Sequence, residues 1–262
     1  MMRRVWAAYA VEVSKAIRSK AAYVGPALVL LAVICAPFVH PIHRGDTSAY
    51  RYIAYVTPLA LDFLGFLLVL VYCAGLVSPE LNSGAIRHVL VRPLRRHEYL
   101  LAKLMTGMSY ALVLTLLVAV GSWSIAFAQG DLLGIEYGGE LVYTDDQMLR
   151  AYVLGALAGL APQFAAAAYA LMISVCTRST VAAVGAAAGI WIVLDMVKYP
   201  LHMDAFVFST YLETPWQVFI NRCDAIDTSW FPAMGYCLGS SVACVIVCSA
   251  VAALVLRRRN LC

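Results

Sequence analysis

Six apolar runs of about 20 residues, separated by short polar stretches, leave few folds open to this chain. They are Ala21 to Val39, Pro58 to Val77, Leu104 to Ala128, Ala151 to Cys176, Val181 to Val197 and Ala233 to Leu256. A bilayer core about 30 Å thick requires about 20 such residues per helical pass. Transmembrane barrel strands would be about 10 residues of alternating polarity, and these runs are longer and uniformly apolar. With 63% hydrophobic and 13% charged residues, the 262-residue chain lacks the polar side chains to cover a water-facing surface. That excludes a soluble enzyme. The expected fold class is all-α: a polytopic membrane protein of six transmembrane helices, forming a single transmembrane domain over residues 1–262.

The cations set the expected orientation, because Lys and Arg near the ends of a pass stay on the cytoplasmic side. On one side stand Arg3, Arg4, Lys15, Arg18, Lys20, Arg87, Arg92, Arg95, Arg96, Lys103, Arg178, Arg257, Arg258 and Arg259. On the other stand only Arg44, Arg51, Arg150, Lys198 and Arg222, together with most of the acids. Both termini are therefore expected in the cytoplasm, in a bacterial-type cytoplasmic membrane. The first run is read as a pass and not a cleaved signal peptide, since its best small-residue site, ending at Cys35, is followed by Ala36 and Pro37.

Eight cysteines do not form a disulfide framework here, because most lie inside apolar runs and only Cys223 is placed outside. Cys237, Cys244 and Cys248 share one helix face at spacings of seven and four. The stripe fits either small-residue packing with Ser241 or a soft-metal site.

Three segments lie outside the passes. Residues 3–20 predict an amphipathic interfacial helix, with Val5, Trp6, Tyr9, Val13 and Ile17 on one face and Glu12, Lys15 and Arg18 on another. Residues 78–103 form the cytoplasmic segment between passes two and three. Ser78-Pro79-Glu80 reads as a helix start with a capping hydroxyl, and Ile86, Val89 and Leu90 continue at helical spacing until Pro93. Such a pinned helix suits docking to a partner, or it merely fixes topology. The outer run Gln129 to Leu149 predicts a solvated loop. The outer segment 198–232 contains a second helix start, Thr214-Pro215-Trp216, ahead of a short helix on or in the outer leaflet.

Gly155 with Gly159, Gly185 with Gly189 and Gly235 with Gly239 are spaced for close helix approach, within one subunit or between two. Pro162 is expected to bend the fourth pass. Asp62 and Asp195 are the only carboxylates inside the apolar runs. Acids at that depth suggest gating or substrate contact, but both fall near the outer helix ends and Asp195 has Lys198 one turn away, which fits a structural or interfacial role instead. No phosphate loop, zinc-protease or nucleophile-elbow motif occurs, and His40 and His43 lack a clear third ligand. The chain is thus expected to be non-catalytic, with no metal and no nucleic-acid partner.

Two stretches resemble the type-2 permeases of ATP-binding-cassette transporters. One is Glu12, Lys15, Arg18 and Lys20 leading into the first pass; the other is Glu80, Gly84, Ala85, Ile86, Arg87, Leu90, Pro93, Leu94, Arg96 and Lys103. The helix near Thr214 to Phe219 is also similar to that family's re-entrant segment. The resemblance implies an exporter permease: a dimeric membrane core, homo- or heterodimeric, resting on two copies of a separate ATPase subunit that binds ATP and Mg, with membrane lipids and an exported protein as further partners. Glu12, Lys15, Arg18, Glu80, Gly84, Arg87, Leu90, Pro93, Arg96 and Lys103 would then couple ATP hydrolysis to the passes. The alternative is a secondary transporter, or another polytopic membrane protein, without an ATPase partner.

Overall fold

The structure, a computed structural model, describes residues 2–43, 48–84, 95–138 and 140–258. Helix α1 (Met2–Arg18) meets α2 (Lys20–Cys35) at Ser19, whose extended backbone breaks the helix. Helix α3 (Ser48–Pro58) runs through a π-helical turn (Leu59–Gly65) into α4 (Phe66–Ala74), and α5 (Ser78–Asn82) follows. Then come α6 (Arg96–Gln129), the strands β1 (Ile135–Tyr137) and β2 (Glu140–Tyr143), α7 (Asp145–Cys176), α8 (Thr180–Val197), α9 (Thr214–Cys223) and α10 (Ala233–Arg258). Among the described residues, six helical stretches are long and apolar enough to cross a membrane: Lys20–Phe38, Ala49–Asn82, Arg96–Gln129, Asp145–Cys176, Thr180–Val197 and Ala233–Arg258.

Helix α7 is the axis of the bundle. Protein covers 61% of its apolar stretch, against 11% for α8 and 17% for α10, so the latter two present most of their surface outward. Ala165, Ala166, Ala167, Ala168 and Ala170 are all buried, and such small side chains let neighbouring helices approach closely. Gly155 and Gly159 serve the same end. A Cβ on Gly155 would lie 2.8 Å from Pro215 O and 3.1 Å from the Trp216 ring, so α9 packs its buried Trp216 straight onto α7. One set of polar side chains pairs across helices inside the bundle: Tyr152 bonds Thr57 at 3.0 Å and Ser122 at 2.7 Å, joining α7, α3 and α6.

Several expectations change. The third long helix starts at Arg96 and not at Leu104, because Glu98 accepts the Arg95 N–H at 2.9 Å and so nucleates the first turn. The acidic outer run is a two-stranded hairpin turning at Gly138, and α7 already begins at Asp145, so that region is not a plain solvated loop. Helix α9 spans the expected residues, but Glu213 occupies its cap position and Trp216, Val218 and Phe219 are buried against protein. Pro162 sits inside an unbroken α7.

A buried charge network as candidate coupling site

At the end of the bundle where α1, α5 and α6 meet, four charged side chains close into one network. Lys103 on α6 is 2% exposed, and its ammonium lies 2.6 Å from Glu12 Oε2 on α1 and 2.7 Å from Glu80 Oε1 on α5. Lys15, about half exposed, bridges the same two acids at 2.7 Å and 3.1 Å. The Tyr99 hydroxyl donates to Glu80 Oε2 at 2.6 Å. All four carboxylate oxygens therefore accept a hydrogen bond, and two cations balance two anions. A buried ion pair repays its desolvation only when geometry and hydrogen bonding are this complete.

Sequence spacing brings these groups together in a traceable way. Glu12 and Lys15 are three apart on α1 and so share a face. Tyr99 and Lys103 are four apart on α6, which turns both toward Glu80. Burial lowers the Lys15 ammonium's hold on its proton, but the Glu12 hydrogen bond and the Glu80 charge outweigh it and raise the group above the ordinary lysine value. Tyr9 adds a second tie between α1 and α6, its hydroxyl 2.6 Å from Ser109 Oγ.

The position of α5 is fixed from the other side. Ser174 Oγ on α7 accepts the N–H groups of Val77 and Ser78 at 3.1 and 3.0 Å and donates to Ala74 O at 2.6 Å. The bend between α4 and α5 thus keeps its backbone bonds although it is buried. Ser78 Oγ donates to Ala74 O at 3.0 Å, so it is not the capping acceptor that its place before Pro79 suggested.

The ten residues expected to couple to an ATPase fall into five groups. Glu12, Lys15, Glu80 and Lys103 form the network. Arg18 ends α1 and is exposed. Arg96 works within the chain, its Nη1 donating to Leu256 O at 2.8 Å and Arg257 O at 2.9 Å, where a cation suits the C-terminal end of α10. Gly84 takes the left-handed φ of +70° two residues after α5, so the helix expected to run from Ser78 to Pro93 stops at Asn82. Arg87, Leu90 and Pro93 lie outside the described residues. Helix α1 also differs from its simplest reading: Glu12 turns inward to Lys103, while Trp6, Val11 and Ile17 are exposed. Tyr99 and Ser174 were not anticipated. A tyrosine four residues before Lys103 was the only available signal for the first, and a lone Ser in an alanine-rich helix gives none.

The intramembrane acids are placed differently from one another. Asp62 lies in the π turn with its Oδ2 buried, and the Trp216 side chain is the polar neighbour that faces it among the described residues. The turn follows Pro58, which has no N–H to give, and Gln163 of α7 donates to the Leu61 carbonyl at 2.9 Å. Asp195 is paired: its Oδ1 lies 2.6 Å from Lys198 and 2.9 Å from Ser209 Oγ. Cys244 and Cys248 are 3.8 Å apart as thiols, and Cys237 contacts Tyr211 O, so part of the cysteine stripe packs within α10. Among the described residues no group of three or more potential ligands is arranged for a metal.

Five apolar spans packed with a sixth, central alanine-rich one define a multi-pass helical membrane protein. Residues 22–262 match the family described as "Protein of unknown function (DUF2705)", and the chain belongs to that family. It is also similar to the "Uncharacterized protein YhcI" of Bacillus subtilis (strain 168), 31% identical over 121 residues, which take in 42% of this chain and 36% of the relative. The matched part of the chain thus spans about a third of that curated relative.

Proposed function

We propose that this chain is the membrane subunit of an ATP-driven exporter, moved by a separate ATPase chain that binds ATP and Mg. The observation that carries the reading is the Glu12–Lys103–Glu80–Lys15 network. It ties together the two segments that resemble the coupling surfaces of type-2 permeases. In this reading both termini face the cytoplasm, and the ATPase pair bears on α1 and on the segment after α5. Because the network joins α1, α5 and α6, a push on either surface displaces all three, and α6 carries the motion across the membrane. The chain itself does no chemistry.

Two such subunits would form the core. Gly185 and Gly189 on α8 and Gly239 on α10 have nothing within 4 Å of where a Cβ would stand, which leaves small-residue faces open to a second copy or a related subunit. The substrate side would include the β1–β2 hairpin and its acidic surroundings, suited to an exported protein partner.

The test is functional reconstitution with the ATPase chain. The Arg87→Glu variant, chosen from the sequence alone, should insert normally and uncouple ATP hydrolysis from movement of the membrane subunit. Wild-type coupling in that variant would refute the reading. One feature favours a second reading, a secondary transporter: Asp62 sits where a continuous membrane helix changes to π geometry, a local irregularity within a span. In that case ion-driven transport would need no ATPase and would be lost in Asp62→Asn.

A further inference from the structure

A cavity of about 450 Å³ opens beside the charge network, bounded by α1, α2, α4, α5, α6 and α8. That volume is in the range of specific small-molecule sites. Its lining is split in character. One end carries Lys15, Ser19 and the buried Lys103 together with Glu12 and Glu80, and the other carries Val24, Leu68 and Val184. We propose that it holds one anionic phospholipid as a resident of the protein wall, with its phosphate at Lys15 and Ser19 and an acyl chain along α2 and α8.

The hydrogen-bond bookkeeping decides the sign of the ligand. Glu12 and Glu80 also line this end, and Lys15 and Lys103 balance their two charges, with every carboxylate oxygen already accepting a hydrogen bond. Each ammonium has three N–H bonds and uses two within the network, and the Ser19 hydroxyl makes no capping bond to α2. The network therefore leaves donor capacity but no net charge, and the positive charge at the mouth comes from the exposed Arg18 and Lys20 on either side of Ser19. That surplus favours an anion. The apolar end requires a hydrocarbon chain, which free phosphate lacks. Helix α1 presents Trp6, Val11 and Ile17 outward, as a helix lying among headgroups does. Tyr110 closes the floor of the cavity: a Cβ on Gly25 would overlap its hydroxyl, and its ring stacks on Tyr72 with centroids 3.9 Å apart. The inference does not rest on an ATPase partner, and the lipid is a component of the fold and not the cargo.

Native mass spectrometry of the full chain in detergent, titrated with phosphatidylglycerol or phosphatidylcholine, tests it. The wild-type protein should retain one phosphatidylglycerol in preference to phosphatidylcholine. Lys15→Gln should weaken that preference about fivefold, the effect of one lysine at an anionic surface. Val24→Trp fills the apolar end without touching a charge and should abolish retention of the single lipid; if it does not fold, Val184→Trp makes the same test from the opposite wall. Equal retention of both lipids, or retention unchanged by filling the cavity, would overturn the proposal. So would a photo-crosslinker at position 184 joining two copies of the chain in lipid-containing membranes, since a second copy would then occupy the space.

Discussion

The Lys103 ammonium lies 2.6 Å from a carboxylate oxygen of Glu12, which is 91 residues away in the chain, and only 2% of the lysine side chain is exposed. Neither group is stable there alone, because an ion removed from water costs several kcal/mol unless its partner is in place. The pair therefore makes the docking of α1 conditional on α6, and through Glu80 on α5.

Replacing Lys103 with Met should be among the most damaging single changes in the chain. It leaves Glu12 and Glu80 facing each other with only the half-exposed Lys15 between them. The expected cost is about 3–5 kcal/mol, the range for breaking a buried pair. Thermal unfolding in detergent measures it. The double variant with Glu12→Gln should lose clearly less than the sum of the two single variants, since the orphaned carboxylate is gone.

The grip of Lys15 should survive neutral and mildly alkaline conditions. Its proton is held more tightly when folded than in the unfolded chain, so its contribution is fully present below the ordinary lysine value. It is lost as pH rises through the higher folded value. Spin labels on α1 and α5 should report a constant separation from neutral pH to about pH 9. Separation should increase only in stronger alkali, and Lys15→Gln should remove that alkaline step.

Ser174→Ala removes the acceptor for two buried N–H groups and the donor to Ala74 O. Leaving buried backbone donors unsatisfied costs about 1–3 kcal/mol each before relaxation. The variant should be destabilised, and amide exchange of Val77 and Ser78 should accelerate more than that of the α7 backbone. Ser174→Thr keeps the hydroxyl and should restore much of the protection.

Gly155→Val places side-chain atoms where Pro215 O and the Trp216 ring now stand. Helix α9 must then lift from α7. The change should be visible as a red shift of tryptophan emission, while Gly189→Val, with nothing within 4 Å of its Cβ, should leave emission unchanged in the monomer.

The spans and the chemistry of the site were legible to different degrees. Each apolar run corresponds to a helix because apolar length in a bilayer admits no other backbone solution. Glu12, Lys15, Glu80 and Lys103 were visible as a pattern, but their mutual pairing was not, since contacts over 65 to 91 residues depend on how the helices pack. The cap-like Ser78 and Thr214 misled for a local reason: each precedes a proline, yet tertiary contacts draw the helix start one residue earlier, to Val77 and Glu213. The hairpin at 135–143 is hard to read because its glycines and acids dilute the alternation of only seven strand residues. The π turn at Asp62 has no period of its own, and Pro58 was its only local sign.

The central claim is that an ATPase chain bears on the end of the bundle where α1 and α5 meet. A photo-crosslinker replacing Ser83, exposed just beyond α5, reads this directly in native membranes. The account predicts a crosslink to a chain containing a phosphate loop, and none from the same group at Tyr137 in the opposite hairpin. Failure of position 83 to reach such a chain, or an equal crosslink from position 137, would contradict it.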